Sequence, residues 1–219
     1  MSKFLYEFAR VLMRNFVRIG YRVKCEGREN VPDEGGYLFI SNHRSMMDAI
    51  FIGLLTPKSR FCFLAKQELF KNRFFGRLIQ KLGAVAVDRG AGDISPLEEL
   101  CQRLRNGENC LIFPEGTRSK DGKLGRFKSG AALIAAQTGV PVVPVGISYK
   151  GRLHFRSRVL LRVGPAFRIP QTEAANPSIA VLKAVRQEMT ANVTALLPPP
   201  EDAQTEPQNA SDQKGDLIS

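Results

Sequence analysis

From residue 37 onward, short apolar runs alternate with stretches of helical periodicity, and glycines and prolines mark the breaks between them. Residues 37–41 follow the turn signal Pro32-Asp33-Glu34-Gly35-Gly36 and predict a strand. Residues 48–55 predict a helix that stops before Pro57, and residues 61–65 a second strand. A helix over 74–82, closed by Gly83, leads to a strand over 84–87. Ser95 is placed to cap a helix over 96–105, with Pro96 at its first position and Glu98 completing a capping box. Strand 110–113, helix 130–137 and strand 142–147 follow. Residues 153–163 suggest a hairpin or edge strands, and 178–197 a closing helix. The strands are continuous apolar runs rather than strict alternations. That pattern predicts a single α/β domain with a mostly parallel, buried sheet flanked by helices.

The segment before this body has a different pattern. At 100° per residue, Leu5, Phe8, Leu12, Phe16 and Ile19 fall within about 80° of one another. Lys3, Arg10, Arg14, Arg18 and Arg22 lie within about 120° on nearly the opposite side. This is an amphipathic N-terminal helix. It suits an interface helix lying in a membrane surface, and it equally suits a surface helix with its apolar face on the domain core. It is too charged to span a bilayer and lacks the apolar core of a signal peptide. The uncharged stretch 129–149 is broken by Gly139, Pro141 and Pro144, so no transmembrane helix is expected.

Charge sharpens the picture. The chain has 219 residues and a net charge of +11. Residues 198–219 carry five acids against Lys214, a net of −4, so residues 1–197 hold +15. The tail is also rich in Pro, Gln, Asn and Ser and predicts a disordered acidic appendage. A strongly basic body points to a polyanion: nucleic acid, an anionic membrane or a phosphorylated substrate. No nucleic-acid-binding motif is present, so no nucleic acid partner is expected. Four unpaired-looking cysteines and two histidines give neither a disulfide scaffold nor a poly-histidine metal site. No metal and no bound cofactor are expected.

Three polar clusters follow strand ends, where open α/β sheets bind ligands. They begin at Asn42-His43-Arg44-Ser45, Asp88-Arg89-Gly90 and Pro114-Glu115-Gly116-Thr117-Arg118. In a continuous helix His43 and Asp48 would sit about 140° apart. If instead His43 precedes the helix, Asp48 can orient one ring nitrogen and leave the other as a base. Arg89 and Arg118, each after an apolar strand, suit bidentate phosphate binding. Glu115, Gly116 and Thr117 add an acid, a permissive backbone position and a hydroxyl beside Arg118. The nucleophile-elbow, phosphate-loop and dinucleotide-binding glycine motifs are missing, so a histidine base would activate a substrate hydroxyl directly.

These residues resemble the glycerolipid acyltransferases of the lysophosphatidic acid acyltransferase type. Four blocks appear in the family's order: Asn42-His43-Arg44-Ser45-Met46-Met47-Asp48, Gly83-Ala84-Val85-Ala86-Val87-Asp88-Arg89, Ile112-Phe113-Pro114-Glu115-Gly116-Thr117-Arg118-Ser119, and Val140-Pro141-Val142-Val143-Pro144-Val145. The second block departs at Ala86, where the family often has an aromatic residue. The resemblance implies acyl transfer from acyl-CoA or acyl-carrier protein to the free hydroxyl of 1-acyl-glycerol-3-phosphate, giving phosphatidic acid. It makes His43 the general base, oriented by Asp48. Arg118, with Arg89, holds the phosphate, and Glu115, Gly116 and Thr117 line the acceptor site. Another acceptor (glycerol-3-phosphate, another lysophospholipid or a lyso-aminolipid) fits the same motifs. The expected organisation is an interface helix over 1–24, an acyltransferase domain over 25–197 and the acidic tail over 198–219. The expected location is the cytoplasmic face of a membrane, bound peripherally to an anionic surface.

Overall fold

The computed structural model describes residues 3–56, 60–88, 94–170 and 177–198. The acidic tail and Arg89 lie outside the described residues, as does the side chain of Leu5. Helix α1 (Lys3–Gly20) leads into strand β1 (Arg22–Glu26). The body then runs β2 (Leu38–Ser41), α2 (Asp48–Gly53), β3 (Phe61–Lys66), α3 (Arg73–Lys81), β4 (Ala84–Val87), α4 (Ser95–Arg105), β5 (Asn109–Ile112) and α5 (Ser129–Thr138). It closes with β6 (Pro141–Ser148), β7 (Arg158–Val163), β8 (Phe167–Arg168) and α6 (Ile179–Ala195).

The strands form one sheet in the order β1-β7-β6-β2-β5-β3-β4, with β8 also paired to β6. The five strands from β6 to β4 are mutually parallel. β7 runs antiparallel to β6 and parallel to β1. The mostly parallel sheet expected from the apolar runs is therefore present, with three reversed strands, β1, β7 and β8, at one side. The parallel strands point their C-terminal ends the same way, which brings the segments after β2 and β5 together at one edge.

Alternate residues of the central strands feed two cores. Leu38 and Ile40 of β2 join Cys110 and Ile112 of β5 beneath α4, α5 and α6. Phe39 and Leu111 face the other way, toward Val17 of α1 and Phe51 and Ile52 of α2. Each such fully buried side chain contributes about 1.5–3 kcal/mol relative to exposure. All four cysteines are buried, and none forms a disulfide.

Three local expectations change. Helix α4 starts at Ser95, so Ile94 takes the capping position and no side chain caps it; the capping box does not form. Residues 153–157 are not strand, and of the hairpin or edge strands expected over 153–163 only β7 exists. Strand β1 lies where the sequence pattern reads as an extension of the basic helix. Its alternation of buried Val23 and Cys25 with polar neighbours is too short to stand out. It gains its hydrogen bonds from β7, with Val23 opposite Val159.

Candidate functional site

The site is built on the turn after β2. Asn42 is buried there, and its side-chain amide pairs with the peptide of Ile147 in the neighbouring strand β6. Its Nδ2 donates to Ile147 O at 2.9 Å, and Ile147 N donates to its Oδ1 at 2.8 Å. This two-point clamp fixes where the chain leaves the sheet. His43 follows and is held at both ends of its own peptide. Its N–H donates to Glu115 Oε1 at 2.7 Å, and its carbonyl accepts from Ser119 N at 2.7 Å.

Helix α2 begins at Asp48, so His43 stands outside it. His43 Nδ1 lies 3.0 Å from Asp48 Oδ2. The same oxygen accepts from Arg44 N at 2.6 Å and Ser45 N at 2.7 Å. Asp48 is 0% exposed. A carboxylate that accepts two backbone N–H bonds is fixed as an acceptor, so it selects the His43 tautomer with hydrogen on Nδ1. Nε2 then carries the free lone pair, and no described residue hydrogen-bonds it. The ring is also fixed in plane: it stacks on Phe113 with centroids 3.9 Å apart and planes inclined by 14°.

The turn after β5 supplies the second half. Glu115 is buried, and its two oxygens accept from His43 N and from Gly125 N at 2.7 and 2.8 Å. Burial pushes its carboxyl above the usual range, and the two backbone donors oppose that rise. Glu115, expected at the acceptor site, also bridges the His43 backbone to the 113–125 loop. Gly116 follows with φ +72, a left-handed turn that L side chains rarely adopt. A Cβ there would come within 2.9 Å of the Lys128 Nζ, so the lysine side chain lies across this glycine. Thr117 and Arg118 are exposed on the rim, next in sequence to the Ser119 that bonds His43. No described residue pairs with Arg118. β4 ends at Val87 on the same edge of the sheet.

Sequence reasoning missed Phe113, Asn42 and the Arg44 side chain. Arg44 lies over the Tyr149 ring, 4.1 Å from its centroid, and donates to the carbonyls of Tyr149 and Gly151 at 2.7 and 3.3 Å. Each of these partners is about 70 residues or more away in sequence, so no local pattern signals it.

The N-terminal helix meets the core by a face other than its apolar stripe. Its apolar stripe faces outward: Phe8 and Leu12 are each 58% exposed, Phe16 52% and Ile19 65%. The core contact runs through Val17, which is fully buried. Arg10 is largely covered and bonds Glu7 at 2.7 Å, Arg14 is half-buried, and Arg18 is exposed. The helix ends at Gly20, so Arg22 belongs to β1 rather than to its basic face. Among the described residues, no helix is long and apolar enough to cross a membrane.

Residues 22–148 match the protein-family model described as Acyltransferase. A chloroplast 1-acyl-sn-glycerol-3-phosphate acyltransferase of Arabidopsis thaliana is 36% identical over 136 residues, 61% of this chain and 38% of that protein. A lyso-ornithine lipid O-acyltransferase of Pseudomonas aeruginosa is 37% identical over 114 residues, 52% of this chain and 43% of that protein. The matched region thus spans about two fifths of the length of these curated relatives. The crystal structure of a 1-acyl-sn-glycerophosphate acyltransferase, PlsC, from Thermotoga maritima superposes with a TM-score of 0.64 at 30% identity. It covers 87% of this chain and 80% of that one.

Proposed function

The chain belongs to the acyltransferase family, and on that premise we propose that it moves a fatty acyl group from a thioester to the free hydroxyl of 1-acyl-glycerol-3-phosphate. The product is phosphatidic acid, and the thioester is acyl-CoA or acyl-carrier protein. One observation carries the reading: a histidine held through Nδ1 by a buried carboxylate and stacked on an aromatic ring leaves its Nε2 without a described partner at the open end of a parallel sheet.

In this mechanism the acceptor hydroxyl donates its proton to His43 Nε2 as its oxygen attacks the thioester carbonyl. The C–O bond forms, and the carbonyl electrons move onto oxygen in a tetrahedral intermediate. Asp48 stabilises the imidazolium created in that step. Collapse of the intermediate breaks the C–S bond, and the imidazolium returns its proton to the departing sulfur. The base is regenerated and no covalent enzyme intermediate is needed. Arg118 on the rim, with Arg89, takes the acceptor phosphate.

A bilayer is the source of the acceptor in this reading. The outward apolar stripe of α1 lies in the cytoplasmic face of an anionic membrane, with basic residues beside it. Docking there is peripheral.

The test is an assay of the purified full chain with both donors and a panel of acceptors: 1-acyl-glycerol-3-phosphate, glycerol-3-phosphate and lyso-ornithine lipid. Turnover of the phosphate-bearing lysolipid, abolished in a folded His43→Ala variant, is expected. Equal activity in that variant removes the general-base reading. A preference for lyso-ornithine lipid, with a KM unaffected by Arg118→Ala, would establish the second acceptor class, which the similarity to the Pseudomonas aeruginosa protein favours.

A further inference from the structure

We propose that the loop between β6 and β7 is a second bilayer-contacting element, which sets Phe155 into the same membrane surface as α1. The proposal rests on the membrane reading of α1 and extends it to a part of the chain 135 residues away from Gly20 in sequence, at the far end of the fold's connectivity.

The first ground is the construction of the loop. Phe155 is 67% exposed, yet the loop around it is closely tied. His154 N donates to Ser157 Oγ at 2.9 Å, and Ser157 N donates back to His154 O at 3.1 Å. Arg156, inside that turn, has φ +66 and is the only non-glycine among the described residues with a positive φ. A bulky residue in that conformation persists only where its surroundings demand it. The turn therefore holds Phe155 outward in a fixed position, rather than exposing it through slack.

The second ground is where the loop is attached. Arg156 N donates to Gly20 O, the last residue of α1, at 2.6 Å, and Arg22 N donates to Ser157 O at 3.0 Å. Phe155 thus adjoins the end of α1 that carries Phe16 and Ile19, both exposed. Phe8, Leu12, Phe16 and Ile19 are each left more than half exposed by the described residues, and Phe155 stands exposed beside the C-terminal end of that stripe.

Charge identifies the occupant. Residues 150–158 contain Lys150, Arg152, Arg156 and Arg158 and no acid. Lys150, Arg152 and Arg156 are exposed and pair with no described acid. An aromatic tip with basic residues around it is complementary to the headgroup region of an anionic bilayer. The root of the same loop also holds the catalytic motif. Tyr149 O and Gly151 O accept from the Arg44 guanidinium, while Arg44 N donates to Asp48. Docking the loop and α1 together would fix the bearing of His43 to the surface at two points instead of one.

The chain has no tryptophan, which makes a direct test simple. Phe155→Trp and, separately, Leu12→Trp each create a single fluorescent reporter. Each full-length variant is titrated with vesicles of equimolar phosphatidylcholine and phosphatidylglycerol, with and without brominated acyl chains. The expected result is a blue shift and bromine quenching from both reporters, and roughly tenfold weaker vesicle partitioning for Phe155→Ala. If the residue 12 reporter responds and the residue 155 reporter does not, the loop proposal fails while the α1 reading stands. If neither responds, both fail. Unchanged partitioning of Phe155→Ala, or of Lys150→Gln/Arg152→Gln/Arg156→Gln, also overturns the loop proposal.

Discussion

Asp48→Asn is the most informative single perturbation of this site, because the hydrogen bonds of Asp48 are unevenly distributed. Oδ2 accepts all three bonds, from Arg44 N, Ser45 N and the His43 ring, while Oδ1 is buried with no partner. An asparagine can place its amide oxygen at the Oδ2 position and keep all three. The opposite orientation would set an NH2 group against two backbone N–H donors, so it is excluded. Asparagine therefore preserves the loop, the ring orientation and the tautomer; it removes the negative charge and sets an NH2 group at the partnerless Oδ1 position, a cost read in stability rather than in kcat. That charge acts when His43 becomes an imidazolium. With charge centres about 4 Å apart and an effective dielectric of about 20, the interaction is about 4 kcal/mol. At 1.36 kcal/mol per decade, kcat should fall by about 10³. Asp48→Ala should add a second effect, because it leaves the part-buried Arg44 N and Ser45 N without their acceptor, at a cost of about 1–3 kcal/mol in stability. The assay is steady-state turnover at saturating donor, paired with thermal unfolding of each variant. A folded Asp48→Asn protein that keeps more than about a tenth of the wild-type kcat would refute the charge argument. Equal loss of stability in the Asn and Ala variants would refute the hydrogen-bond argument.

Three further outcomes follow from the same geometry. The carboxyl of Glu115 titrates above its usual range, so between that range and its raised value the native state holds a proton the unfolded chain has lost. Its stability contribution is full below this window and declines as pH rises through it; denaturant melts of Glu115→Gln should lack that decline, and should sit about 1–3 kcal/mol lower in acid because one backbone donor loses its acceptor. Asn42→Ala breaks both bonds to the Ile147 peptide and should lower stability by about 2–4 kcal/mol; a melting temperature within about 2 °C of wild type would mean the clamp carries no weight. Phe113→Ala removes the ring face that supports His43 and should lower kcat roughly tenfold with little change in acceptor KM. A change confined to KM would place Phe113 in substrate binding instead.

Much of the molecule could be read locally. The apolar runs of β2 to β6 are short, continuous and bounded by glycine or proline, and each becomes a strand within a residue or two of its expected ends. The His43–Asp48 spacing was interpretable because the turn signals placed His43 before a helix and Asp48 in its first turn, as found. The periodicity of α1 established that an apolar face exists. It contained nothing about whether protein or solvent meets that face.

Those parts that escaped the sequence all depend on pairings between distant segments. β1 is five residues of modest alternation, and it is a strand because β7 offers it a partner 136 residues along the chain. Glu115 has the same composition-level signature whether it meets a substrate or a backbone; only closure of the sheet brings His43 N and Gly125 N to its two oxygens. The outward turn of Phe8, Leu12, Phe16 and Ile19 follows from Val17 finding its place against the sheet. The sequence alone determined the central strands and helices, the charge and the chemistry on offer, since these rest on near-neighbour periodicity and residue type. The tertiary structure decided which atoms meet and which face stays open, since a hydrogen bond between remote residues exists only once the chain between them has folded.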